Sequence, residues 1–325
     1  MSNPDSRQLV LDLLRKQGKI SGKQLGEAAG ISRSAVWKHI GRLKEQGYNI
    51  VSTPGEGYKL LSSPDRLLPS ELLPELNTRV LGREVFYYQE LSSTQEKAVE
   101  LAKQGYPEGT LIIAEKQVSG KGRLGRNWES HPGSVCVSLI FRPNMRPEDI
   151  LHFPLATGIA AARTIRNLTG YYPGLKWPND ILLSGRKLGG ILTELAAEPD
   201  KLHYLVIGIG ININTPKPCF SEQIQSTATS LVTEYGQEFS RLGFLQVLLR
   251  EMEAIHSQYQ EYGFTSIRED WKALNVTLGR KVTIQDRDKV IQGTAQDINL
   301  QGGLVVNTNS GEYLTVTSGD VADQF

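Results

Sequence analysis

The chain has 325 residues, enough at roughly 150 per domain for two domains and room for a third; 39% are hydrophobic and 22% charged, which excludes a disordered tail protein. No apolar run approaches the ~18 residues of a membrane span, the N-terminus MSNPDSRQLV lacks the layout of a secretory signal, and two distant cysteines, Cys136 and Cys219, exclude a disulfide scaffold or Cys-based zinc site and fit a reducing cytoplasm. The net charge of +1 hides a division: residues 1–62 hold ten Lys+Arg against five Asp+Glu, net +5, and the remainder 26 against 30, net −4, so the head suits a polyanion and the body another partner.

In chain order, residues 7–17 place Leu9, Val10, Leu13 and Leu14 on one helical stripe ended by Gly18. Ser21 caps a short second helix with Leu25, Ala28 and Ala29 inward, ending at Gly30. Ser32 caps a third, Arg33 to Gln46, with Val36, Ile40 and Leu43 on its inner face. Asn49–Ser52 and Tyr58–Leu61 flank Thr53-Pro54-Gly55-Glu56-Gly57 and predict a hairpin. Three short helices and a hairpin look like a winged helix-turn-helix, residues 1–62. Its third helix would present Ser32, Arg33, Ser34, Trp37, Lys38 and Arg42 to the DNA major groove, with Lys44 and Lys59 meeting the backbone. The other reading is a small helical domain with a solvated charged face and Trp37 folded into the core or beneath the wing.

Pro64, Pro69 and Pro74 mark residues 63–78 as a linker or docking segment. A second domain, 79–272, then reads as α+β on a mixed, mainly antiparallel sheet. Its strands are Val85–Tyr88, Gly109–Glu115, Ser134–Phe141, Leu175–Leu183, Leu188–Leu195 and His203–Ile213. Leu91-Ser92-Ser93-Thr94 leads into an expected helix with Ala98, Val99, Leu101 and Ala102 apolar, ending at Gly105, and further helices are expected over Pro147–Leu168 and Leu242–Tyr262. Residues 273–325 alternate in short runs between glycine turns and predict a small β-barrel.

Four stretches carry chemistry. Gly120-Lys121-Gly122-Arg123-Leu124-Gly125-Arg126-Asn127-Trp128 offers glycine backbone and three cations to a phosphate; a lone Gly/Arg-rich run is equally a mobile surface loop. Lys176-Trp177-Pro178-Asn179-Asp180 precedes Lys187-Leu188-Gly189-Gly190. Asp180 could hold Mg²⁺ and Lys187 could meet a phosphate or developing oxyanion, or the two could be a turn former and a solvated lysine. Ser92-Ser93-Thr94-Gln95 and Gln117 suit a neutral polar ligand such as a urea, or merely cap a helix. The run Val206–Asn214 contains GxG without the rest of a dinucleotide fingerprint, so its glycines are expected to let a ligand approach the strand, with Asn212 supplying an amide.

GKGRLGRNW, KWPND, RKLGGILTE and GIGININ, in that order behind a winged helix, resemble the biotin–protein ligases, in the bifunctional type that also represses biotin-synthesis operons. The resemblance implies an α+β ligase domain of the biotin/lipoate ligase type followed by an SH3-like barrel. It implies formation of biotinyl-5′-AMP from biotin and ATP with Mg²⁺, then transfer of biotin to a lysine of a biotin carboxyl carrier protein, with no tightly bound prosthetic group. Ser93, Thr94, Gln95, Gln117, Lys121, Gly122, Arg123 and Lys187 would surround biotin. Arg123, Arg126, Trp128, Lys176, Asn179, Asp180 and Asn212 would surround the nucleotide, with Lys187 and Arg123 catalytic and Asp180 on the metal. Operator DNA, a homodimer in the adenylate-bound state, a cytoplasmic location and no membrane partner are also expected. Lys121 stands where the family commonly has Arg, keeping the charge without the fork. The alternative is a ligand-sensing repressor whose ligase domain is catalytically weak or of lipoate type.

Overall fold

The computed structural model describes residues 6–198, 201–286 and 289–323, and the chain divides between Arg66 and Leu67 into two compact units. The first contains α1 (Ser6–Gln17), β1 (Lys19–Ile20), α2 (Gly22–Ala29), α3 (Arg33–Glu45), β2 (Asn49–Thr53) and β3 (Gly57–Ser62). A capping box between Ser21 and Gln24 starts α2, and Gly30 ends it in the left-handed conformation at φ 64°. Ser32 starts α3, its hydroxyl accepting from the Ala35 N–H at 3.2 Å. The α1 stripe is rotated from expectation: Val10, Leu11 and Leu14 are buried, while Leu9 and Leu13 are only half-buried. The expected hairpin forms, and β1, unforeseen, extends it to a three-stranded sheet of order β1-β3-β2.

The second unit runs α4 (Pro69–Leu72), β4 (Val85–Leu91), α5 (Thr94–Lys103), β5 (Leu111–Gln117), the ribbon strands β6 (Gly120–Lys121) and β7 (Asn127–Trp128), and β8 (Ser134–Phe141). There follow α6 (His152–Thr169), β9 (Gly174–Lys176), β10 (Asp180–Leu183), β11 (Arg186–Glu198), β12 (Lys201–Asn212), α7 (Leu231–Tyr235), α8 (Arg241–Tyr262) and α9 (Phe264–Leu274). Last come β13 (Lys281–Asp286), β14 (Lys289–Ile298), β15 (Leu304–Thr308), β16 (Tyr313–Val316) and β17 (Asp320–Asp323). The main sheet has the order β4-β5-β8-β12-β11-β10-β9; β4 and β5 are parallel and every other pair is antiparallel.

Its central strands are apolar at consecutive positions because both faces are covered. Ile113, Val137, Leu139, Ile207 and Ile209 join the core that holds α6, α8 and α9, whereas Ile112, Ile140 and Val206 pack on Ala98, Leu101 and Ala102 of α5. That second face is covered only along part of its length. Beyond α5 the outward positions are small or polar: Ser138, Gly190, Gly208 and Gly210.

Several expectations change. Leu67, Leu72 and Leu76 are buried in the main core, so most of the expected linker belongs to the second unit. The helix expected from Pro147 begins at His152, behind a single 3₁₀ turn at Pro147–Asp149. The strand expected over Leu175–Leu183 is two strands that fold back at Trp177-Pro178-Asn179, because Trp177 is drawn into the core with its indole N–H on the Gly302 carbonyl at 3.0 Å. The C-terminal strands do form the expected small β domain, an antiparallel sheet of order β16-β15-β14-β13-β17, and Val282, Ile284, Ala295 and Leu304 join it to the main core. No described helix is long and apolar enough to cross a membrane.

His152 fastens α6 to this C-terminal region. One ring nitrogen meets the Leu300 carbonyl at 2.8 Å, the other the Tyr259 hydroxyl at 3.0 Å, and the ring stacks on Phe264 at 3.8 Å. Burial pushes its pKa below the ordinary histidine value, so on acidification the unfolded chain takes the proton first. The stabilisation is present above about pH 6.5 and is lost as pH falls from there through the lower folded pKa. The thermal unfolding midpoint should drop between about pH 7.5 and pH 5.5, and drop less in His152→Gln; equal pH profiles for the two would refute this origin.

Candidate active site

The uncovered part of the sheet is the floor of a cavity of about 320 Å³. Gly208 stands opposite Ser138 on β8, and Gly210 opposite Cys136 on β8 and Gly190 on β11. A Cβ on Gly208 would lie 2.4 Å from Gln95 Oε1, and one on Gly210 2.5 Å from the Trp128 indole. The glycines therefore make room for these two side chains, rather than for direct approach of a ligand to the strand.

The N-terminus of α5 forms one wall. The Thr94 N–H and hydroxyl both donate to Gln117 Oε1, at 2.7 and 3.1 Å, which fixes which end of the Gln117 amide accepts. Ser93 Oγ is buried and has no hydrogen-bond partner among the described residues. Ser138, which the sequence reading missed, reaches Thr94 Oγ1 at 2.9 Å and Gln95 Oε1 at 3.1 Å.

The glycine-rich run forms the second wall as the ribbon β6–β7, pairing Gly120 with Trp128 and Lys121 with Asn127. Its tip turns through Leu124 at φ 54° and Gly125 at φ 74°, closed by the Gly122 N–H on the Arg126 carbonyl at 2.7 Å. Lys121 pairs with Glu96 at 2.9 Å, and this hydrogen bond holds the Glu96 carboxyl below its ordinary value. Arg123 donates to Asn179 Oδ1 at 3.1 Å and to the Gly319 carbonyl at 3.3 Å; Arg126 pairs with Asp320 at 2.7 Å. Burial pushes the Arg123 pKa down, and the nearby Asp320 and Asp180 oppose that shift. Gly319 and Asp320 lie near the C-terminus, and nothing in their local sequence marks them.

The third wall is the turn Lys176-Trp177-Pro178-Asn179-Asp180 together with Lys187. Asp180 sits opposite Gly190, and its carboxylate meets the Lys187 ammonium at 2.6 Å. Asn179 is locked by its side-chain amide on the Ile191 carbonyl at 2.6 Å. The Lys187 backbone is held through its N–H on Thr227 O at 2.7 Å and its carbonyl under the Thr229 N–H at 2.9 Å.

Ser93, Thr94, Gln95, Gln117, Lys121, Gly122, Arg123, Arg126, Trp128, Lys176, Asn179, Asp180 and Lys187 thus line one cavity. Asn212 does not. It is buried behind the lining, donates to Thr229 O at 3.1 Å, and thereby steadies the segment that holds Lys187. Five cations face two carboxylates, Asp180 and Asp320, so the cavity suits a polyanion beside a neutral polar group. In the first unit Ser32, Arg33, Ser34, Trp37, Lys38 and Arg42 are all exposed along α3. Trp37 is 69% exposed, which excludes its packing in the core or beneath the wing.

Comparison with known proteins agrees with this layout. Residues 85–212 match the biotin/lipoate A/B protein ligase family, residues 6–59 an HTH domain, and residues 277–322 the biotin protein ligase C terminal domain. The bifunctional ligase/repressor BirA of Bacillus subtilis (strain 168) is 37% identical over 94% of this chain and 95% of its own. That of Escherichia coli (strain K12) is 31% identical over 88% and 87%. The biotin protein ligase from Aquifex aeolicus, solved in complex with biotin and ATP, superposes with a TM-score of 0.64 at 27% identity, covering 74% of this chain and 99% of that one. The chain belongs to the biotin–protein ligase family, and carries an HTH match before the ligase match and a biotin protein ligase C terminal match after it.

Proposed function

We propose that this protein joins biotin and ATP into biotinyl-5′-AMP, transfers the biotinyl group to a lysine of a biotin carboxyl carrier protein, and acts on operator DNA as a biotin-responsive repressor of biotin-synthesis genes. The observation that carries the enzymatic reading is one cavity with two chemically distinct ends. Neutral hydrogen-bonding groups gather where Thr94, at the start of α5, meets Gln117, and cations gather where Arg123 meets Asn179 and Lys187 meets Asp180, all in one lining.

In the first step a carboxylate oxygen of biotin bonds to the α-phosphorus of ATP as the bond to pyrophosphate breaks. Both reactants are anionic, so the encounter needs positive charge where they meet. Arg123 and Lys187 supply it, and their own partners fix their directions. In the second step the amine of the carrier lysine attacks the acyl carbon, AMP leaves, and the amine loses a proton. The mixed anhydride is labile to water, and the ribbon carrying Arg123, tied to Gly319 and Asp320, supports a role in covering it.

The donor set is compatible with Mg²⁺ in the manner of phosphate-bound magnesium: one or two carboxylates from the protein, with phosphates and water completing the shell. Asp180 would hold the ion, which would neutralise phosphate charge. Among the described residues there is no group of three His, Cys, Asp or Glu that would cage a metal unaided.

For the DNA role, the exposed residues of α3 and the directly opposed Lys19 and Lys59 on β1 and β3 support a polyanion-binding face. A homodimer in the adenylate-bound state would place two such helices on half-sites separated by whole turns of DNA.

Biotin-dependent exchange of labelled pyrophosphate into ATP by the natural chain tests the enzyme; exchange with lipoate instead of biotin would move the substrate to the sister class. Lys187→Ala should lower that exchange by about 10²–10³-fold with the fold intact, since its side chain is 39% exposed; normal exchange would remove Lys187 from the mechanism. Lys38→Ala should weaken operator binding across all sequences and lower the slope of log K against log salt by about one. A change in base preference instead would make Lys38 a reader of bases.

A further inference from the structure

The segment that grips the Lys187 backbone is itself fastened by a carboxylate outside the cavity lining. Residues 213–230 connect β12 to α7 through a 3₁₀ turn at Lys217–Cys219 and a run of tight turns. Within them backbone hydrogen bonds step toward Lys187. The Ser221 carbonyl accepts from Ile224 and Gln225 at 3.0 and 2.9 Å, and the Ile224 carbonyl from Thr227 and Ala228 at 3.0 and 2.7 Å. Thr227 O and the Thr229 N–H then take the N–H and the carbonyl of Lys187. Both polar backbone groups of a strand residue point to one side, so Lys187 is bonded to this segment and not to β10. The β10–β11 register also shifts beside it, between Ile181 and Leu182.

Ser221, where the stepwise bonds begin, is held by Glu129. Its N–H donates to Glu129 Oε2 at 3.2 Å and its hydroxyl to Glu129 Oε1. His131 Nε2 lies 3.2 Å from the same Oε2, and the His131 ring meets Phe220 edge-on at 5.5 Å. Phe220 is buried, so two consecutive residues of the segment are tied down. Burial works to raise the Glu129 pKa, but the bonds from Ser221 and His131 outweigh it and hold the group below its ordinary value. Hydrogen bonds to such a charged acceptor are roughly twice as strong as neutral ones. On its other side Glu129 follows Trp128, which pairs with Gly120 in the ribbon and fills the space a side chain at Gly210 would need. The carboxylate therefore joins the ribbon that carries Arg123 to the segment that grips Lys187. Glu129, His131 and Ser221 are not among the described residues that line the cavity.

We propose that Glu129 is a positioning residue for Lys187: by holding Ser221 it fixes the segment that sets where the Lys187 ammonium stands against the reacting phosphate. The inference rests on the adenylate-forming reading given under the proposed function.

The test takes two readouts on the full chain, amide hydrogen exchange without ligand and biotin-dependent pyrophosphate exchange. The proteins are the natural chain, Glu129→Ala, Glu129→Gln, Lys187→Ala and Glu129→Ala/Lys187→Ala. Glu129→Ala should speed hydrogen exchange at residues 187 and 221–229, while the amides of β8 and β12 keep their natural rates. It should lower kcat for pyrophosphate exchange by about 10–10²-fold with KM for biotin unchanged. In Glu129→Gln the amide oxygen can take the Ser221 N–H while the amide nitrogen donates to the Ser221 hydroxyl, so most of that loss should be recovered. In the double variant the Glu129 change should cost nothing beyond Lys187→Ala, because the place of an absent ammonium no longer matters. Natural hydrogen-exchange rates in Glu129→Ala would overturn the proposal. So would a natural kcat in that variant, or equal losses with and without Lys187. A natural chain inactive with biotin would overturn the functional reading and this inference with it, whatever the hydrogen exchange showed.

Discussion

The sheet of the second unit is covered along its whole length on one face and only part-way on the other, and the site follows from that inequality. On the covered face every second residue of β12 is apolar and meets α6 or α8: Leu205, Ile207, Ile209 and Ile211. On the other face the same strand presents Val206 under α5, then Gly208 and Gly210 where α5 has ended. Period-two alternation puts both glycines on the same side. Side chains there would occupy the positions now held by Gln95 and Trp128, both of which line the cavity. The depth of the site is thus a property of two absent side chains, and its chemistry is supplied from elements around the rim.

The charges on that rim differ in how they are held. Lys121, Arg126 and Lys187 each meet a carboxylate, Glu96, Asp320 and Asp180, in pairs whose side chains are all at least a quarter exposed. Such pairs contribute little to stability, typically about 0–1 kcal/mol. They hold the cations in place and can exchange a carboxylate for a phosphate at small cost. Arg123 is different: it is more deeply buried and directly bonded to neutral acceptors, the Asn179 amide oxygen and the Gly319 carbonyl. Its charge has been desolvated with no carboxylate in contact among the described residues, so it stands to gain most from an arriving anion.

The architecture was legible where periodicity was strong. The capped helices α2 and α3, the wing hairpin and the central strands follow from Ser and Gly at helix ends and from apolar runs too short for helices. The cavity residues were legible because their chemistry is local in sequence: glycines beside arginines, Asn179 beside Asp180, hydroxyls before a helix. Ser138 was hidden inside SVCVSLIF, which reads as a uniformly buried strand and gives no sign that one position faces a polar network. Asp320 and Gly319 were invisible for a different reason, since the contact to Arg123 and Arg126 spans nearly two hundred residues. Asn212 stands apart from the cavity lining: its amide nitrogen is on Thr229 O, and its Oδ1 is buried without a partner among the described residues. The proline-rich segment was read as a linker from Pro64, Pro69 and Pro74; the leucines between them, buried in the core, outweigh that signal.

Where the ligase unit begins is set by one buried ion pair. Arg241 at the start of α8 meets Glu115 of β5 at 2.9 Å, with side chains only 5% and 9% exposed, and the same guanidinium nitrogen reaches the Ser134 carbonyl at 3.0 Å. The other oxygen of Glu115 accepts the Leu67 N–H at 2.8 Å. Removing one member of such a pair leaves an uncompensated buried charge, a loss of about 3–5 kcal/mol, so the carboxylate that receives Leu67 is fixed in place. On the other side of the junction Pro64 packs on Gly47, within the first unit, where a Cβ would come within 3.1 Å of the proline ring. The division thus falls between Arg66, whose N–H is on the Pro64 carbonyl at 2.9 Å, and Leu67, which Glu115 holds.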